Sequence, residues 1–421
     1  MATFIYAGDA LAVAQVGTVQ ITGMDGTPSN TTYILTINGK TVSVVGDTDE
    51  DTTAEALKDA WNASTQPEFA EVTATQSTDT ITLTADTAGK PFTVVASVSG
   101  GTGTIGAYSA TTANSGPETW TAENVINEST GARALPGALD TILFKDTSAN
   151  LKYGLETSCV ALNAIFYPSY TGEVGLPAIN SDGTYDYTEY RTRYFTMVTA
   201  SATVTCGLGG AGDGSSKIRV AAGVTLDVKV YDTGSSLDDL GAFEILCDSE
   251  SLDSLKVLGG DVSVDSSDTT DSIASVIVSG SGSLTVFSSM SHMTAVALND
   301  DATFITYAPV DSLIMRGNPS ATIYRVKPSA TDADFAVYGG LIDIKTDLAE
   351  VLNSLTLSPG TVLDTNGITG SLTITTTTMS AGSSIVDSGS HVTFTNAIDL
   401  GLAGIEDVTL DLGKGYDIQK S

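Results

Sequence analysis

The chain has 421 residues, and its 50 acidic and 18 basic side chains give a net charge of −32. This excess of negative charge argues against binding to DNA, RNA or an anionic membrane, because contacts to phosphate need Lys and Arg. Hydrophobic residues make up 41% of the chain, so it can bury a core and is not a disordered tract.

Residues 1–17 predict an extended N-terminal arm with no partner inside its own segment. The stretch MATFIYAGDALAVAQVG has neither the basic start nor the long apolar run of a signal peptide. No window approaches the roughly 18 apolar residues of a transmembrane helix. These features predict synthesis and assembly in the cytoplasm, with no membrane contact.

Residues 18–113 predict a small α+β domain. Asn38-Gly39 is the pair that suits a type I′ turn between two alternating strands. The stretch DTTAEALKDAWNAS predicts the helix, with Thr52 and Glu55 as a capping box. Its apolar stripe is Ala56, Leu57, Ala60 and Trp61. Further strands are predicted at EVTATQ, TITLTADT and FTVVASVS, and residues 99–118 predict a linker.

Residues 114–200 predict the start of a β-solenoid, with its cap and first coils. Trp120 lies between polar neighbours and suits a cap over the end of an apolar column. The first coil strands are predicted at TILFKD and VALNAIFYPSYTGEVGL. A tyrosine-rich run then interrupts the pattern before coil-like segments resume.

Residues 201–400 predict the main β-solenoid, a mainly β fold within a single chain. Seven segments repeat at 17 to 22 residues, a period typical of stacked β coils. The predicted inward column is Leu255, Val276, Val296, Leu313, Phe335, Leu355 and Leu372. Ten to twelve coils would make a rod of roughly 50 Å. Residues 401–421 predict a C-terminal cap or tail.

Turn carboxylates are the only candidates for catalysis that the sequence offers. Glycosidases and lyases on solenoids need carboxylates on neighbouring coils, and Asp300, Asp301 and Asp311 lie at predicted turns. So do Asp238, Asp239, Asp332 and Asp334. No basic column accompanies them, and Asp in such turns usually bonds its own backbone. We therefore predict no catalytic residue and no enzyme.

No cofactor or metal site is predicted either. His292 and His391 lack the context of a catalytic triad. The glycine-rich stretch 207–214 lacks the Lys and helix of a phosphate loop. The acidic stretches 47–53 and 265–272 lack the spacing of known calcium loops. The three cysteines, Cys159, Cys206 and Cys247, predict small buried side chains without disulfides.

The tyrosine-rich run is the sequence feature most suggestive of an interaction. Tyr185, Tyr187, Tyr190 and Tyr194 alternate with charged residues. Such aromatic side chains can stack on a sugar or pack against a subunit or domain. Both interpretations stay open, with a packing contact favoured.

Two stretches resemble structural proteins of tailed phages and related prophage islands. TYILTINGKTVSVVG with the helix and strands after it resembles a small domain of those proteins. NSGPETWTAENV with LPGALDTILF resembles the solenoid start that follows that domain there. The resemblance covers residues 18–200. It implies a virion component that contacts other virion proteins as a homotrimer, and it supplies no catalytic residues.

The leading hypothesis is a virion surface protein without enzymatic activity, either a capsid decoration protein or a head fibre. A tail fibre or tailspike-like protein that recognises a host glycan is the alternative. A polysaccharide depolymerase is the third hypothesis, with Asp300 and Asp311 as its carboxylates.

Overall fold

The structure is a computed structural model that describes residues 1–26, 29–176, 190–209, 217–233, 242–326, 333–401 and 403–413. Strands account for 48% and helices for 6% of it, and a parallel β-solenoid of about 11 turns occupies residues 141–412. The predicted fold class is confirmed.

Among the first 127 residues, those that the structure describes form ten strands and three helical elements. The strands are β1 (Thr3–Tyr6), β2 (Val16–Gly23), β3 (Thr31–Ile37), β4 (Lys40–Val45), β5 (Val72–Ser77), β6 (Thr80–Ala85), β7 (Val95–Gly100), β8 (Thr104–Ile105), β9 (Ser109–Thr112) and β10 (Val125–Asn127). The helices are α1 (Glu50–Asn62), α2 (Pro67–Ala70) and a 3-10 turn at Ala122–Asn124.

The solenoid strands follow one another at short intervals. They are β11 (Thr141–Phe144), β12 (Asn163–Phe166), β13 (Phe195–Met197), β14 (Ala202–Cys206), β15 (Ile218–Ala222), β16 (Leu226–Val230), β17 (Phe243–Cys247), β18 (Leu252–Val257), β19 (Asp261–Ser266), β20 (Ser272–Val278), β21 (Ser283–Val286), β22 (His292–Asp300), β23 (Thr303–Thr306), β24 (Ser312–Gly317), β25 (Ser320–Ile323), β26 (Asp334–Val337), β27 (Leu341–Ile344), β28 (Ala349–Leu357), β29 (Val362–Asp364), β30 (Ser371–Met379), β31 (Ser384–Asp387), β32 (Val392–Phe394) and β33 (Thr409–Leu412). A second 3-10 turn spans Ile405–Asp407.

The N-terminal segment belongs to the solenoid sheet. Strand β1 pairs antiparallel with β10 and parallel with β11. Tyr6 is fully buried, and its hydroxyl oxygen lies 2.7 Å from the Pro117 carbonyl oxygen and 2.6 Å from that of Asn150. The segment predicted as an arm therefore finds its partners more than 100 residues along the chain, and the α+β domain is inserted between β1 and β10.

The α+β domain consists of two antiparallel sheets and helix α1. One sheet has the order β4-β3-β7, and the other has the order β5-β6-β2-β8, with β9 also paired to β2. Asn38 and Gly39 have φ angles of 48° and 69°, and they join β3 to β4 with Ile37 opposite Lys40. This turn confirms the predicted type I′ hairpin.

Helix α1 forms where the sequence predicts it, but it begins earlier. Asp49 is its N-cap, and Asp49 Oδ1 accepts a hydrogen bond from the Thr52 backbone N–H. In return, the Asp49 backbone N–H donates to the Thr52 hydroxyl oxygen. The predicted Thr52–Glu55 box is therefore wrong, because a better-placed carboxylate precedes it. Leu57 and Trp61 are buried as expected.

The prediction that residues 99–118 form a linker is also wrong. Strands β8 and β9 both pair with β2. The Tyr108 ring packs edge-on against Phe92 at 5.6 Å between centroids. Gly17 leaves room for that ring, since a Cβ there would lie 2.3 Å from Tyr108 atoms. The glycine-rich composition therefore reflects close packing within the domain.

Two long parallel sheets enclose one core in the solenoid. The larger sheet has 14 strands and continues from β10-β1-β11-β12 through the even-numbered strands to β32. The smaller has 11 and contains the odd-numbered strands from β13 to β33. Alternate residues of both sheets face one continuous apolar cluster, as the period of two along a strand requires.

The predicted inward column is correct over its first six members. Leu255, Val276, Val296, Leu313, Phe335 and Leu355 are aligned opposite one another along successive strands. Its last member is wrong, because Leu355 lies opposite Thr377, and Leu372 lies opposite Glu350. Thr377 is 1% exposed, so a threonine takes the position at which the pattern predicts an apolar residue.

The two ends of the solenoid core differ in burial. At the start, the Phe144 ring contacts the rings of Tyr6, Phe166, Tyr170 and Phe195, and all of these side chains are buried. In the last coil, Phe394, Leu410 and Leu412 are only partly buried against the core. The start is therefore the more tightly sealed end.

Candidate functional site

Arg191 joins the tyrosine-rich run to the α+β domain. Its Nε donates to the Pro91 carbonyl oxygen at 2.7 Å, and its Nη2 lies 2.6 Å from Glu71 Oε2. The Arg191 guanidinium carbon is 4.4 Å from the Tyr190 ring centroid and 5.9 Å from that of Tyr153, near the start of the solenoid. Cations at these distances are attracted to the ring faces.

The Arg191 side chain is only 7% exposed, and Tyr190 packs against the core of the α+β domain. Tyr190 and Arg191 therefore make a contact between the two domains. We call Tyr190, Arg191, Glu71, Pro91 and Tyr153 the domain junction.

Glu71 is the electrostatic centre of the domain junction. Its Oε1 also pairs with the Lys90 ammonium group. Burial would raise the pKa of Glu71, but the hydrogen bonds from Arg191 and Lys90 outweigh it and hold the pKa below its usual range. Glu71 is thus a carboxylate held in its charged form by two cations.

Tyr194 lies near a buried ion pair on the outer face of the smaller solenoid sheet. Burial raises the pKa of Tyr194, and the charges of Arg193, Glu244 and Arg219 act on it. Arg219 lies opposite Glu244 across β15 and β17, with its Nε 3.1 Å from Glu244 Oε2. Both are more than nine-tenths buried, and burial raises the pKa of Glu244. Tyr185 and Tyr187 lie outside the described residues.

Trp120 lies in the core near the start of the solenoid. It is 2% exposed and packs edge-on against Phe195, with 5.0 Å between ring centroids. Its backbone N–H donates to the Tyr153 carbonyl oxygen at 2.8 Å. The side chain predicted as a cap therefore belongs to the apolar cluster at the sealed end.

The structure separates the carboxylates that the depolymerase hypothesis needs. Met293 lies opposite Val310 and Val296 opposite Leu313, so Asp311 faces the beginning of β22, while Asp300 ends that strand. Six residues of strand separate the two positions, or roughly 20 Å. A glycosidase pair lies within about 10 Å, so these two carboxylates do not form one.

Among the turn carboxylates of the described residues, Asp300, Asp301 and Asp334 accept hydrogen bonds, Asp301 from Asn318 Nδ2 at 3.5 Å. Asp300 has a φ of 58°, and its Oδ2 accepts from the Gly280 backbone N–H at 3.3 Å. Asp334 Oδ1 accepts from Asn353 and from Ser354 at 2.9 and 2.5 Å. These bonds tie one coil to the next. Asp238, Asp239 and Asp332 lie outside the described residues.

His292 lies between a hydroxyl and a carboxylate, an arrangement that the sequence did not predict. Its Nδ1 is 2.7 Å from Ser291 Oγ, and its Nε2 is 3.9 Å from Asp311 Oδ2. The second distance exceeds a hydrogen bond, and the serine is the adjacent residue. The group lacks the geometry of a nucleophilic triad. His391 Nδ1 lies 3.2 Å from the Gly370 carbonyl oxygen.

The two acidic stretches contain carboxylates that serve local structure. Asp49 caps α1. Asp271 Oδ2 accepts from Ser266 Oγ at 2.6 Å, and Asp268 Oδ1 accepts from the Thr270 backbone N–H at 2.9 Å. Among the described residues no group of three His, Cys, Asp or Glu side chains is placed to hold a metal ion. Of the glycine-rich stretch 207–214, only residues 207–209 are described.

One aromatic column escaped the sequence analysis. Phe287, Tyr307 and Tyr324 follow successive strands of the smaller sheet, and their rings are stacked within 15° of parallel. Tyr307 and Tyr324 are 4.4 Å apart between centroids. An aromatic residue after the second strand of three consecutive repeats was the available signal. The Phe287 and Tyr307 centroids are 6.5 Å apart, and Tyr307 is 37% exposed. The column follows the stacking of successive coils.

Comparisons with known proteins give no relative for this chain. No protein family, no curated protein and no solved structure matches it. Among the described residues, α1 is the longest helix at 13 residues, and none has the length and apolar character to cross a bilayer.

Proposed function

We propose that this chain is a virion structural protein on the surface of a tailed phage, either a capsid decoration protein or a head fibre, without enzymatic activity. The observation that carries the proposal is the rod of about 11 turns with a separate domain fixed at its sealed end by Arg191. A rod with one firmly held domain at its end suits a protein that attaches to a particle by that domain and projects its solenoid.

The distribution of polar groups supports a structural role. The carboxylates Asp300 and Asp334 hold coils together, and the group of Ser291, His292 and Asp311 lacks catalytic geometry. The net charge of −32 keeps such a protein soluble at the high local density of a particle surface.

In this proposal the α+β domain attaches the protein to other virion proteins. Strand β1 belongs to the solenoid sheet, so attachment by the N-terminal segment would require that segment to leave its sheet. The solenoid then projects outward, and we propose a homotrimer on the basis of the resemblance to phage structural proteins.

Immunogold electron microscopy tests the proposal. Phage particles from the source host would be purified and labelled with antibody against the recombinant solenoid, with pre-immune serum and an unrelated phage as controls. Label scattered over the head is the expected result. Label confined to the tail tip would favour the receptor-binding alternative, and unlabelled particles would overturn the virion assignment.

A further inference from the structure

Strand β7 ends the β4-β3-β7 sheet of the α+β domain. In the part of the chain that the structure describes, it pairs with β3 alone. All of its residues except Ala96 are exposed, and its sequence VASVSG contains neither a charge nor a proline. Sheet edges are normally protected by charges, prolines or bulges, because an unprotected edge pairs with another strand.

The outer face of this sheet is uncharged. Its side chains are Thr32, Ile34, Thr36, Thr41, Ser43, Val45, Val95, Ser97 and Ser99. Val45 and Val95 are 60% and 64% exposed. On a chain with a net charge of −32, two copies repel each other over most surfaces. An uncharged face with an open strand edge is where two copies can approach at the lowest electrostatic cost.

We propose that β7 pairs antiparallel with β7 of a second copy of this chain, which joins the two three-stranded sheets into one sheet of six strands. Antiparallel pairing of a strand with itself is two-fold symmetric, as the commonest protein dimers are. Main-chain hydrogen bonds supply the attraction, as in other cases of strand addition.

Residues directly opposite must lie on the same face of the sheet, so the two-fold axis must pass through a residue of β7. Gly100 has a φ of 78° and leaves the extended conformation. Ser97 is the centre of the remaining extended residues, Val95–Ser99. A two-fold axis at Ser97 then places Ser97 against its own copy, Val95 opposite Ser99, and Ala96 opposite Val98. Ala96 packs against the domain core and Val98 is 37% exposed. The pairing therefore extends the apolar inner face and covers Val98.

This inference does not depend on where the protein acts, so it stands or falls separately from the virion proposal. A strand edge of six residues buries less area than the roughly 800 Å² per partner of a standard stable interface. The pairing should therefore be weak, and the fraction of paired chains should rise with protein concentration. If another surface makes a trimer, β7 pairing links whole trimers.

Sedimentation equilibrium of the purified full chain over a range of concentrations tests the pairing. Ser97→Lys places two like charges against each other across the two-fold axis and should weaken association at least tenfold. Thr41→Lys adds the same charge to the same face on the opposite edge strand, β4, and should associate like the wild type. Identical behaviour of all three chains, or equal loss in both variants, would overturn the pairing. Circular dichroism would establish that each variant is folded.

Cross-linking gives a second measurement that does not rely on a disrupted interface. Ser97→Cys should form a disulfide-linked dimer on mild oxidation, because the two thiols face each other, while Thr41→Cys should not. The native Cys159, Cys206 and Cys247 are buried and give little background. A Ser97→Cys chain that yields no more dimer than Thr41→Cys would contradict the proposal.

Discussion

Arg191 Nη2 lies 2.6 Å from Glu71 Oε2, so a residue 120 positions further along the chain holds a carboxylate of the α+β domain. The same guanidinium bonds the Pro91 carbonyl oxygen and lies over the ring of Tyr190. One buried cation thus connects the inserted domain with the polypeptide that leads into the smaller solenoid sheet.

Arg191→Ala should loosen the α+β domain. Hydrogen bonds to charged groups contribute about 1.5–3 kcal/mol each, so we expect the free energy of unfolding of that domain to fall by about 2–3 kcal/mol. Hydrogen–deuterium exchange of the α1 backbone amides at increasing denaturant concentration would measure it. Arg133→Ala is the matched control, because Arg133 and Asp9 form an exposed pair worth about 0–1 kcal/mol. Equal losses in both variants would contradict the role of the domain junction.

Glu71 should make the domain junction sensitive to acid. Its pKa is lowered in the folded state, so its contribution to stability is fully present above its unfolded pKa of about 4.3 and disappears as the pH falls through the folded pKa. Glu71→Gln should therefore lower the melting temperature at pH 7 and have progressively less effect below about pH 4. A difference between the two chains that stays constant down to pH 3 would contradict this sign.

Thr377→Val should stabilise the solenoid. Among the described residues Thr377 Oγ1 has no hydrogen-bond partner, and the side chain is 1% exposed. Burying such a hydroxyl costs about 1–3 kcal/mol, so we expect a gain of about 1 kcal/mol in denaturant unfolding. Thr376→Val, on the exposed face of the same strand, should stay within about 0.5 kcal/mol of the wild type. A destabilised Thr377→Val chain would show that the hydroxyl is satisfied.

Alanine substitutions at Gly340 and Gly360 should distinguish the effect of backbone strain from that of steric crowding. Their φ angles are 85° and 78°, so the left-handed backbone conformation destabilises an alanine at either position by about 1–2 kcal/mol. A Cβ at Gly340 would also lie 2.1 Å from the Pro319 carbonyl oxygen, whereas at Gly360 it meets nothing within 4 Å. Gly340→Ala should therefore lose at least about 2 kcal/mol more than Gly360→Ala. Similar losses would mean that the corner at Pro319 yields easily.

The native thiols should be unreactive until the chain unfolds. Burial raises the pKa of each of Cys159, Cys206 and Cys247 to about 12, and the thiolate is the reactive form. Ellman's reagent at pH 8 should find no thiol in the native protein and three after denaturation. Rapid reaction of any thiol in the native state would reveal local opening of the solenoid core.

The sequence predicts the repeated parts of this molecule well, because stacking forces equivalent residues into one column. The alignment from Leu255 to Leu355 is correct for that reason. It fails at Leu372, where a run of threonines gives no apolar contrast and the inward residue is Thr377. The sequence period identifies an inward-facing column only where its residues are more apolar than the residues beside them in the strand.

Features that depend on contacts between distant segments could not be predicted from the sequence. Nothing local indicates that Thr3–Tyr6 would lie beside Thr141–Phe144. The bond between Arg191 and Glu71 is equally remote in sequence. The linker interpretation failed because glycine is common both in flexible chains and in tightly packed strands such as those beside Tyr108.

The position of β1 has a consequence for how the protein is made. As the chain leaves the ribosome, Thr3–Tyr6 must wait for Thr141–Phe144 before its parallel partner exists, while the α+β domain between them can fold at once. The two connections to that domain run side by side, with Val13 paired to Ser115. A short loop between these two connections would therefore close the chain without the domain and leave the solenoid sheet continuous.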